Sequence, residues 1–111
     1  VSLFLDPDLD QIRAAHRIDA PAVELHTGKF CEARHVKDRA AEFQRLADAA
    51  KSASKLGLEV AAGHGLNYHN IHSVVGLTEI AEFNIGHSIV GRAVFVGLER
   101  AVKEMLELIS A

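Results

Sequence analysis

The chain has 111 residues, a formal net charge of −3 and an apolar fraction of 49%, so it can form one domain with a sizeable core. Basic residues are scattered among acidic ones, which argues against a nucleic-acid-binding or anionic-membrane-binding protein. Its single cysteine, Cys31, gives neither a disulfide framework nor a thiolate zinc site. We expect a reducing, cytoplasmic setting, and no apolar run approaches the roughly 20 residues of a membrane span.

The first half of the chain predicts two strand–helix units. Residues 1–5 are an apolar strand, and Asp6 or Asp8 can cap the helix that follows. Residues 22–26 predict the second strand, and residues 28–33 predict a loop. The unit ends in the longest predicted helix, over residues 36–56, because apolar residues recur there at steps of three and four. Its predicted buried stripe comprises Val36, Ala40, Phe43, Leu46, Ala50 and Ala53.

The second half predicts two further units. Residues 58–62 form the third strand, and residues 67–75 a short helix. Residues 80–85 form the fourth strand, and Ser88 is expected to cap a short helical turn that ends at about Arg92. The last helix is predicted over residues 98–109. Its predicted inward face comprises Ala101, Val102, Met105, Leu106 and Ile109.

The alternation of strands and helices predicts an α/β fold with parallel strands. Two architectures fit: a small open sheet, or half of an eight-fold βα barrel. The short turn at Gly86-His87-Ser88, ahead of a separate final helix, favours the barrel, since such barrels often bind phosphate at the loops after their last two strands and at a short extra helix. A full barrel needs about 250 residues, so this single domain of residues 1–111 can supply only strands five to eight.

Two strand ends carry a Gly-His pair, Gly63-His64-Gly65 and Gly86-His87. Glycine allows a tight turn and a close approach of the backbone to a ligand. Histidine is the side chain that titrates nearest to neutral pH. A helix that begins after Gly86 would present free N–H groups to an anion. The pair therefore predicts an active-site edge with an anion pocket.

Four segments of the chain, in order and spacing, resemble the C-terminal half of the pyridoxine 5′-phosphate synthase family. They are Val1-Ser2-Leu3-Phe4-Leu5-Asp6, Glu24-Leu25-His26-Thr27-Gly28, Ala62-Gly63-His64-Gly65-Leu66 with Tyr68-His69-Asn70, and Asn84-Ile85-Gly86-His87 with Ile89-Val90-Gly91-Arg92-Ala93. The resemblance implies a βα barrel. It also implies a transferase that condenses 1-deoxy-D-xylulose 5-phosphate with 3-amino-2-oxopropyl phosphate to give pyridoxine 5′-phosphate, phosphate and water. We expect no cofactor and no metal.

The same resemblance implies the roles of five residues. His64 corresponds to the proton donor, and Glu24 to a residue that stabilises charge in the transition state. Gly65 corresponds to a substrate-binding position, and Gly86 and His87 to a ligand-binding pair suited to a phosphate. Simpler interpretations remain open, because Glu24 could pair with a lysine or arginine on a neighbouring loop.

Other candidate residues have structural interpretations. His26 and His69 lie near the same end and could line the site, or could serve supporting or helix-cap roles. His69 and His72 are three residues apart, but no carboxylate or cysteine completes a metal set at ligand spacing. Cys31 has no evident base beside it, which argues against a nucleophile.

The chain lacks the part of the barrel that, in the family, carries the proton-accepting histidine and glutamate. It has no initiator methionine and opens directly into a strand, so we expect a fragment. Its expected partners are the N-terminal half-barrel, phosphorylated small molecules, and further copies of itself, since the family forms homo-octamers. Two alternatives are another phosphate-binding barrel enzyme, which the lack of a strand-end lysine argues against, and a non-catalytic half-barrel that self-associates.

Overall fold

The computed structural model describes residues 1–110 and consists of four strands, five helices and one 3₁₀ turn within that range. In chain order the elements are β1 (Ser2–Leu5), α1 (Leu9–Arg17), β2 (Ala22–His26), α2 (Gly28–Glu32), α3 (Val36–Lys55), β3 (Glu59–Gly63), the 3₁₀ turn (Ile71–Ser73), β4 (Ile80–Asn84), α4 (His87–Val96) and α5 (Leu98–Ser110). All four predicted strands are therefore present, each within one residue of its expected bounds.

The strands form one parallel sheet in the order β1-β2-β3-β4. This confirms the predicted α/β class. Within residues 1–110, β1 and β4 each pair on one side only, so they are the edges of the sheet. Because all strands run in the same direction, their carboxyl ends lie together along one side of the sheet, perpendicular to the edge strands. This is where a ligand binds in open α/β sheets.

One face of the sheet holds the core, and the helices cover it. Val23 and Leu25 of β2 and Val60 and Ala62 of β3 are at most 2% exposed, and they belong to the same hydrophobic cluster as residues from α1 and α3. The opposite face is less covered. On that face Phe4 is 54% exposed, and the side chains of β2 that alternate with the buried ones are only half-buried. The sheet therefore has a packed face and an open face.

Capping fixes where α1 begins, as the sequence indicates. The Asp8 carboxylate accepts a hydrogen bond from the Asp10 backbone N–H at 2.9 Å, which identifies Asp8 as the N-cap. Asp10 adds a negative charge in the first turn, where the helix dipole favours it.

Two segments differ from the prediction in their local structure. Residues 28–32 form a short helix, α2, where a loop was expected; five residues are too few for an apolar period to emerge. Residues 67–75 form turns around the 3₁₀ turn and no α-helix. The side chains of Asn67 and Asn70 bond to nearby backbone N–H groups, which offers the backbone an alternative to helical hydrogen bonds.

The expected cap of α4 is wrong as well. The helix begins at His87 with Gly86 as its N-cap, and it continues to Val96. The Ser88 hydroxyl donates instead to the Leu66 carbonyl at 3.0 Å, so it joins the helix to the loop after β3. It therefore cannot cap α4.

The predicted inward faces are correct only in part. In α3, Leu46, Ala50 and Ala53 are buried, whereas Val36 is 80% exposed. In α5, Ala101 and Met105 are buried, whereas Val102 and Leu106 are 38% and 56% exposed. Each helix has an apolar face wider than the surface it packs on.

Candidate active site

The carboxyl ends of three strands meet in register at one edge of the sheet. His26 of β2 pairs with Gly63 of β3, which pairs with Asn84 of β4. A cavity of about 500 Å³ opens beside these ends. Its lining comprises His64, Gly65, Leu66, Asn67, Asn84, Ile85, Gly86, His87 and Ser88. Four of the five predicted site residues therefore share one cavity, although 20 residues of sequence separate the pair 64–65 from the pair 86–87.

His64 follows β3 directly and has an exposed side chain. Its φ is +87°, in the left-handed region that a residue with a Cβ seldom adopts. Gly65 follows with φ +82°, and a Cβ there would lie 2.9 Å from the Cβ of Cys31. The backbone therefore turns sharply at this strand end and needs glycine at 65. Strain of this kind persists only where neighbouring groups hold it.

Thr27 is the residue that holds this turn. It is 1% exposed, and its Oγ1 lies 2.7 Å from the carbonyl oxygen of Gly63 and 2.6 Å from that of His64. The hydroxyl proton is donated to this carbonyl pair, and the Thr27 backbone N–H also donates to the Gly63 carbonyl at 2.9 Å. The Cys31 thiol lies 3.7 Å from the same His64 carbonyl.

The imidazole of His64 packs against a second imidazole. The ring centroids of His26 and His64 lie 4.5 Å apart, with the planes inclined by 36°. His26 also contacts Phe4, at a centroid distance of 4.9 Å. The Gly28 N–H donates to Nδ1 of His26 at 3.0 Å. His26 therefore lies beside His64 and does not line the cavity.

Glu24 lies two residues before His26 in β2, on the open face of the sheet. It does not line the cavity, but its Oε1 accepts a hydrogen bond of 2.5 Å from the Asn84 side-chain amide, which does. Among residues 1–110, no lysine, arginine or histidine makes an ion pair with Glu24. The alternative that Glu24 pairs with a base on a neighbouring loop therefore has no support within residues 1–110.

Gly86 and His87 lie at the start of α4, which has ten residues. The first N–H groups of a helix lack partners within it, and together with the helix dipole they favour an anion. Gly86 has φ −123°, and a Cβ placed there would meet nothing within 4 Å. This end of the cavity is thus open and suited to an anion.

Cys31 and the remaining histidines lie outside this cavity. Burial raises the pKa of the Cys31 thiol above its ordinary value, which disfavours the reactive thiolate. His69 and His72 are exposed. No group of three or more histidine, cysteine, aspartate or glutamate side chains within residues 1–110 is arranged to hold a metal. Over the same range, no helix is both long and apolar enough to cross a bilayer.

An ion pair joins α4 to α5. The Arg92 side chain makes two hydrogen bonds to the Glu104 carboxylate, at 3.0 and 3.3 Å. Its hydrogen bond holds the pKa of Glu104 below its ordinary value. The Tyr68 hydroxyl donates to the Ala101 carbonyl at 2.6 Å, and burial raises the pKa of that phenol. The Arg92–Glu104 contact holds α4, whose first residues line the cavity, against α5. The Tyr68 contact holds the loop after β3 against α5 as well.

Sequence reasoning missed two residues of this edge, Thr27 and Asn84. Both lie in the segments that carry the family resemblance, yet neither has a titratable side chain. Asn84 could have been found from its place at the carboxyl end of a strand beside a Gly-His pair. Thr27 offered no local signal, since its partners are 36 and 37 residues away.

Comparison with known proteins shows the family of the chain. The sequence model of the family described as pyridoxal phosphate biosynthesis protein PdxJ matches residues 1–111. A protein of Desulforapulum autotrophicum named pyridoxine 5′-phosphate synthase is 58% identical over 111 residues, which are 100% of this chain and 46% of the relative. One of the same name from Syntrophotalea carbinolica is 55% identical over 109 residues, 98% of this chain and 46% of the relative.

A third protein of that name, from Geobacter sulfurreducens, is 54% identical over 109 residues, 98% of this chain and 46% of the relative. The chain thus spans about half the length of the curated relatives it matches. The family match nonetheless extends over every residue of the chain. The chain therefore belongs to the PdxJ family of pyridoxal phosphate biosynthesis proteins.

Proposed function

We propose that this chain supplies the C-terminal half of a βα-barrel pyridoxine 5′-phosphate synthase, which works in the cytoplasm in vitamin B6 biosynthesis. The observation that carries the proposal is the convergence of His64, Gly65, Gly86 and His87 on one cavity of about 500 Å³. The proposed substrates are 1-deoxy-D-xylulose 5-phosphate and 3-amino-2-oxopropyl phosphate. A cavity of this size belongs to the range that accepts small molecules.

His64 is the proposed proton donor. Ring closure requires that hydroxyl groups leave as water, and a neutral hydroxyl leaves far more readily when an acid protonates it. A histidine can carry and release that proton near neutral pH. The exposed side chain of His64 borders the cavity, which supports this role. The N–H of Gly65 is proposed to contact a substrate oxygen at the same loop.

Glu24 is proposed to stabilise positive charge that develops on the substrate nitrogen as an imine forms. Its hydrogen bond to the Asn84 amide supports this role, because a neutral amide orients the carboxylate without neutralising it. A charge fixed in position before reaction stabilises a transition state without reorganisation at the moment of reaction.

Gly86 and His87 are proposed to bind a substrate phosphate at the N-terminus of α4. Two features support this: the free N–H groups expected at a helix start, and a Gly86 backbone without a side chain in the way. The histidine side chain would add a hydrogen-bond donor to the phosphate oxygens.

The edge strands β1 and β4 present unpaired backbone groups that further chain could cover, which supports the next proposal. We propose that residues outside this sequence close the barrel and supply the proton-accepting groups. We further propose that the full protein assembles as a homo-oligomer. The 111-residue chain by itself is then expected to be inactive and to associate with itself through the exposed edges.

Joining the chain to the N-terminal part of the Desulforapulum autotrophicum synthase gives a completed protein that tests this proposal. We expect it to form pyridoxine 5′-phosphate from the two phosphorylated substrates, as followed by absorbance and mass spectrometry. His64→Asn should lower kcat by about 100-fold or more, the contribution typical of a general acid, with substrate binding retained.

Controls separate the possible failures. Circular dichroism and gel filtration establish that the completed protein is folded, and the unmodified relative serves as the positive control. A folded completed protein without activity, in an assay where the relative is active, would contradict the proposal. Full activity from the 111-residue chain alone would instead contradict the claim that further chain is needed.

A further inference from the structure

The segment His26-Thr27-Gly28, which joins β2 to α2, contacts His64 from two directions. The Thr27 hydroxyl bonds to the backbone of the strand end at Gly63 and His64. The His26 ring lies against the His64 ring. We call this segment the β2 turn. No other segment in residues 1–110 both packs a ring on His64 and hydrogen-bonds to its backbone.

The backbone contact matters because His64 is strained. A φ of +87° for a residue with a Cβ costs free energy, and the chain would relax if nothing held it. The Thr27 Oγ1 is within hydrogen-bonding distance of the carbonyl oxygens of Gly63 and His64, and Thr27 itself is buried. Losing the hydroxyl would remove its hydrogen bond to the His64 carbonyl, whereas the Gly63 carbonyl would keep the bond from the Thr27 backbone N–H.

The ring contact is itself held in place. Because Nδ1 of His26 accepts from the Gly28 N–H, the ring proton of neutral His26 is on Nε2. An alanine Cβ at position 28 would overlap the His26 ring and lie 3.1 Å from Cδ2 of His64. Glycine at 28 thus admits both imidazoles side by side, and Phe4 also packs against the His26 ring.

We propose that the β2 turn positions the imidazole of His64 for proton donation: Thr27 fixes its backbone, and His26, held as the Nε2–H tautomer by Gly28, fixes its ring. Thr27 and His26 are positioning residues, since neither lines the cavity. This proposal rests on the proposed function, because it assumes that His64 is the proton donor.

The first test compares Thr27→Val with Thr27→Ser in the completed protein. Valine keeps the size of threonine without the hydroxyl, whereas serine keeps the hydroxyl. We expect Thr27→Val to lower kcat about 10- to 100-fold with KM changed less than about threefold, as for a misplaced catalytic group. Thr27→Ser should restore kcat to within about threefold. Thr78→Val, at an exposed position, is the matched control and should leave kcat unchanged.

The second test replaces His26 by asparagine. The asparagine Oδ1 can still accept the Gly28 N–H, but the ring that packs on His64 is gone. We expect His26→Asn to lower kcat about 10-fold or more while the melting temperature stays close to that of the parent. His16→Asn, on the exposed face of α1, is the control and should have no effect on kcat.

The outcomes distinguish this proposal from the proposed function. Unchanged kcat in both Thr27→Val and His26→Asn would overturn the positioning role alone. Equal losses in Thr27→Val and Thr27→Ser, in step with melting temperature, would mean a merely structural role and also overturn it. If the unmodified completed protein makes no product, the proposed function fails. The crystal structure of Thr27→Val then decides: a His64 ring moved by about 1 Å supports positioning, and an unmoved ring overturns it.

Discussion

Replacing Gly65 by alanine should destabilise the fold through two separate effects. Gly65 has φ +82°, and the left-handed conformation costs a residue with a Cβ roughly 1–2 kcal/mol. The new Cβ would also lie 2.9 Å from Cβ and 3.2 Å from Sγ of Cys31, and overpacking of this kind typically costs about 1–3 kcal/mol. We therefore expect the free energy of unfolding to fall by about 2–5 kcal/mol.

Urea denaturation of the completed protein, followed by circular dichroism, measures this loss. With an m value of about 3 kcal/mol/M, the expected shift of the midpoint is roughly 0.7–1.7 M. Gly65→Asn separates the two effects, because asparagine tolerates positive φ better than alanine but keeps the Cβ. Gly65→Asn should therefore recover only the part of the lost unfolding free energy that comes from the backbone conformation.

Gly76→Ala is the matched control. Gly76 has no positive φ, and an added Cβ there meets nothing within 4 Å, so the free energy of unfolding should change by less than about 0.5 kcal/mol. The reasoning is refuted if Gly65→Ala and Gly76→Ala unfold at the same urea concentration. Such a result would mean that the loop after β3 relaxes without cost and does not hold His64 in a fixed place.

Three further predictions concern the rest of the fold. Arg92 lowers the pKa of Glu104. The Glu104 carboxylate therefore contributes to stability at neutral pH, and this contribution is lost as pH falls through the lowered pKa. The melting-temperature difference between the parent and Glu104→Gln should therefore vanish well below pH ~4.3, and a constant difference would contradict this. Burial raises the pKa of Cys31, so its alkylation by iodoacetamide, followed by intact mass, should be slower in the folded protein than in urea; equal rates would contradict it. Leu25→Ala, at a fully buried position, should cost about 2–5 kcal/mol in urea denaturation, whereas Val36→Ala, 80% exposed, should cost less than about 0.5 kcal/mol.

The sequence was sufficient for the elements that depend on local chemistry. Residues 22–26 form the second strand as predicted, and the long helix ends one residue before its expected end. Asp8 caps α1. These features arise from backbone preferences and from the spacing of apolar residues over a few turns, which neighbouring residues alone can specify.

The sequence also predicted that the candidate site residues would lie close together, because parallel strands bring their carboxyl ends to the same end of the sheet. That rule brings His64 and His87 to one cavity. The same rule does not predict which face of a helix is buried. Val102 and Leu106 are apolar and lie at helical spacing, yet both are exposed within the described chain. Which part of a wide apolar face becomes buried depends on the partner surface.

Tertiary structure alone decided the contacts that surround the proposed proton donor. The Asn84 amide reaches Glu24 across 60 residues of sequence, and the Thr27 hydroxyl reaches the His64 carbonyl across 37. These contacts depend on the register of β2, β3 and β4, and a shift of one residue would turn each side chain to the opposite face of the sheet. The sequence by itself determined which residues we propose to carry the chemistry. Only the pairing of distant strands decided which neighbours hold them, since register is fixed by the packing of the whole core.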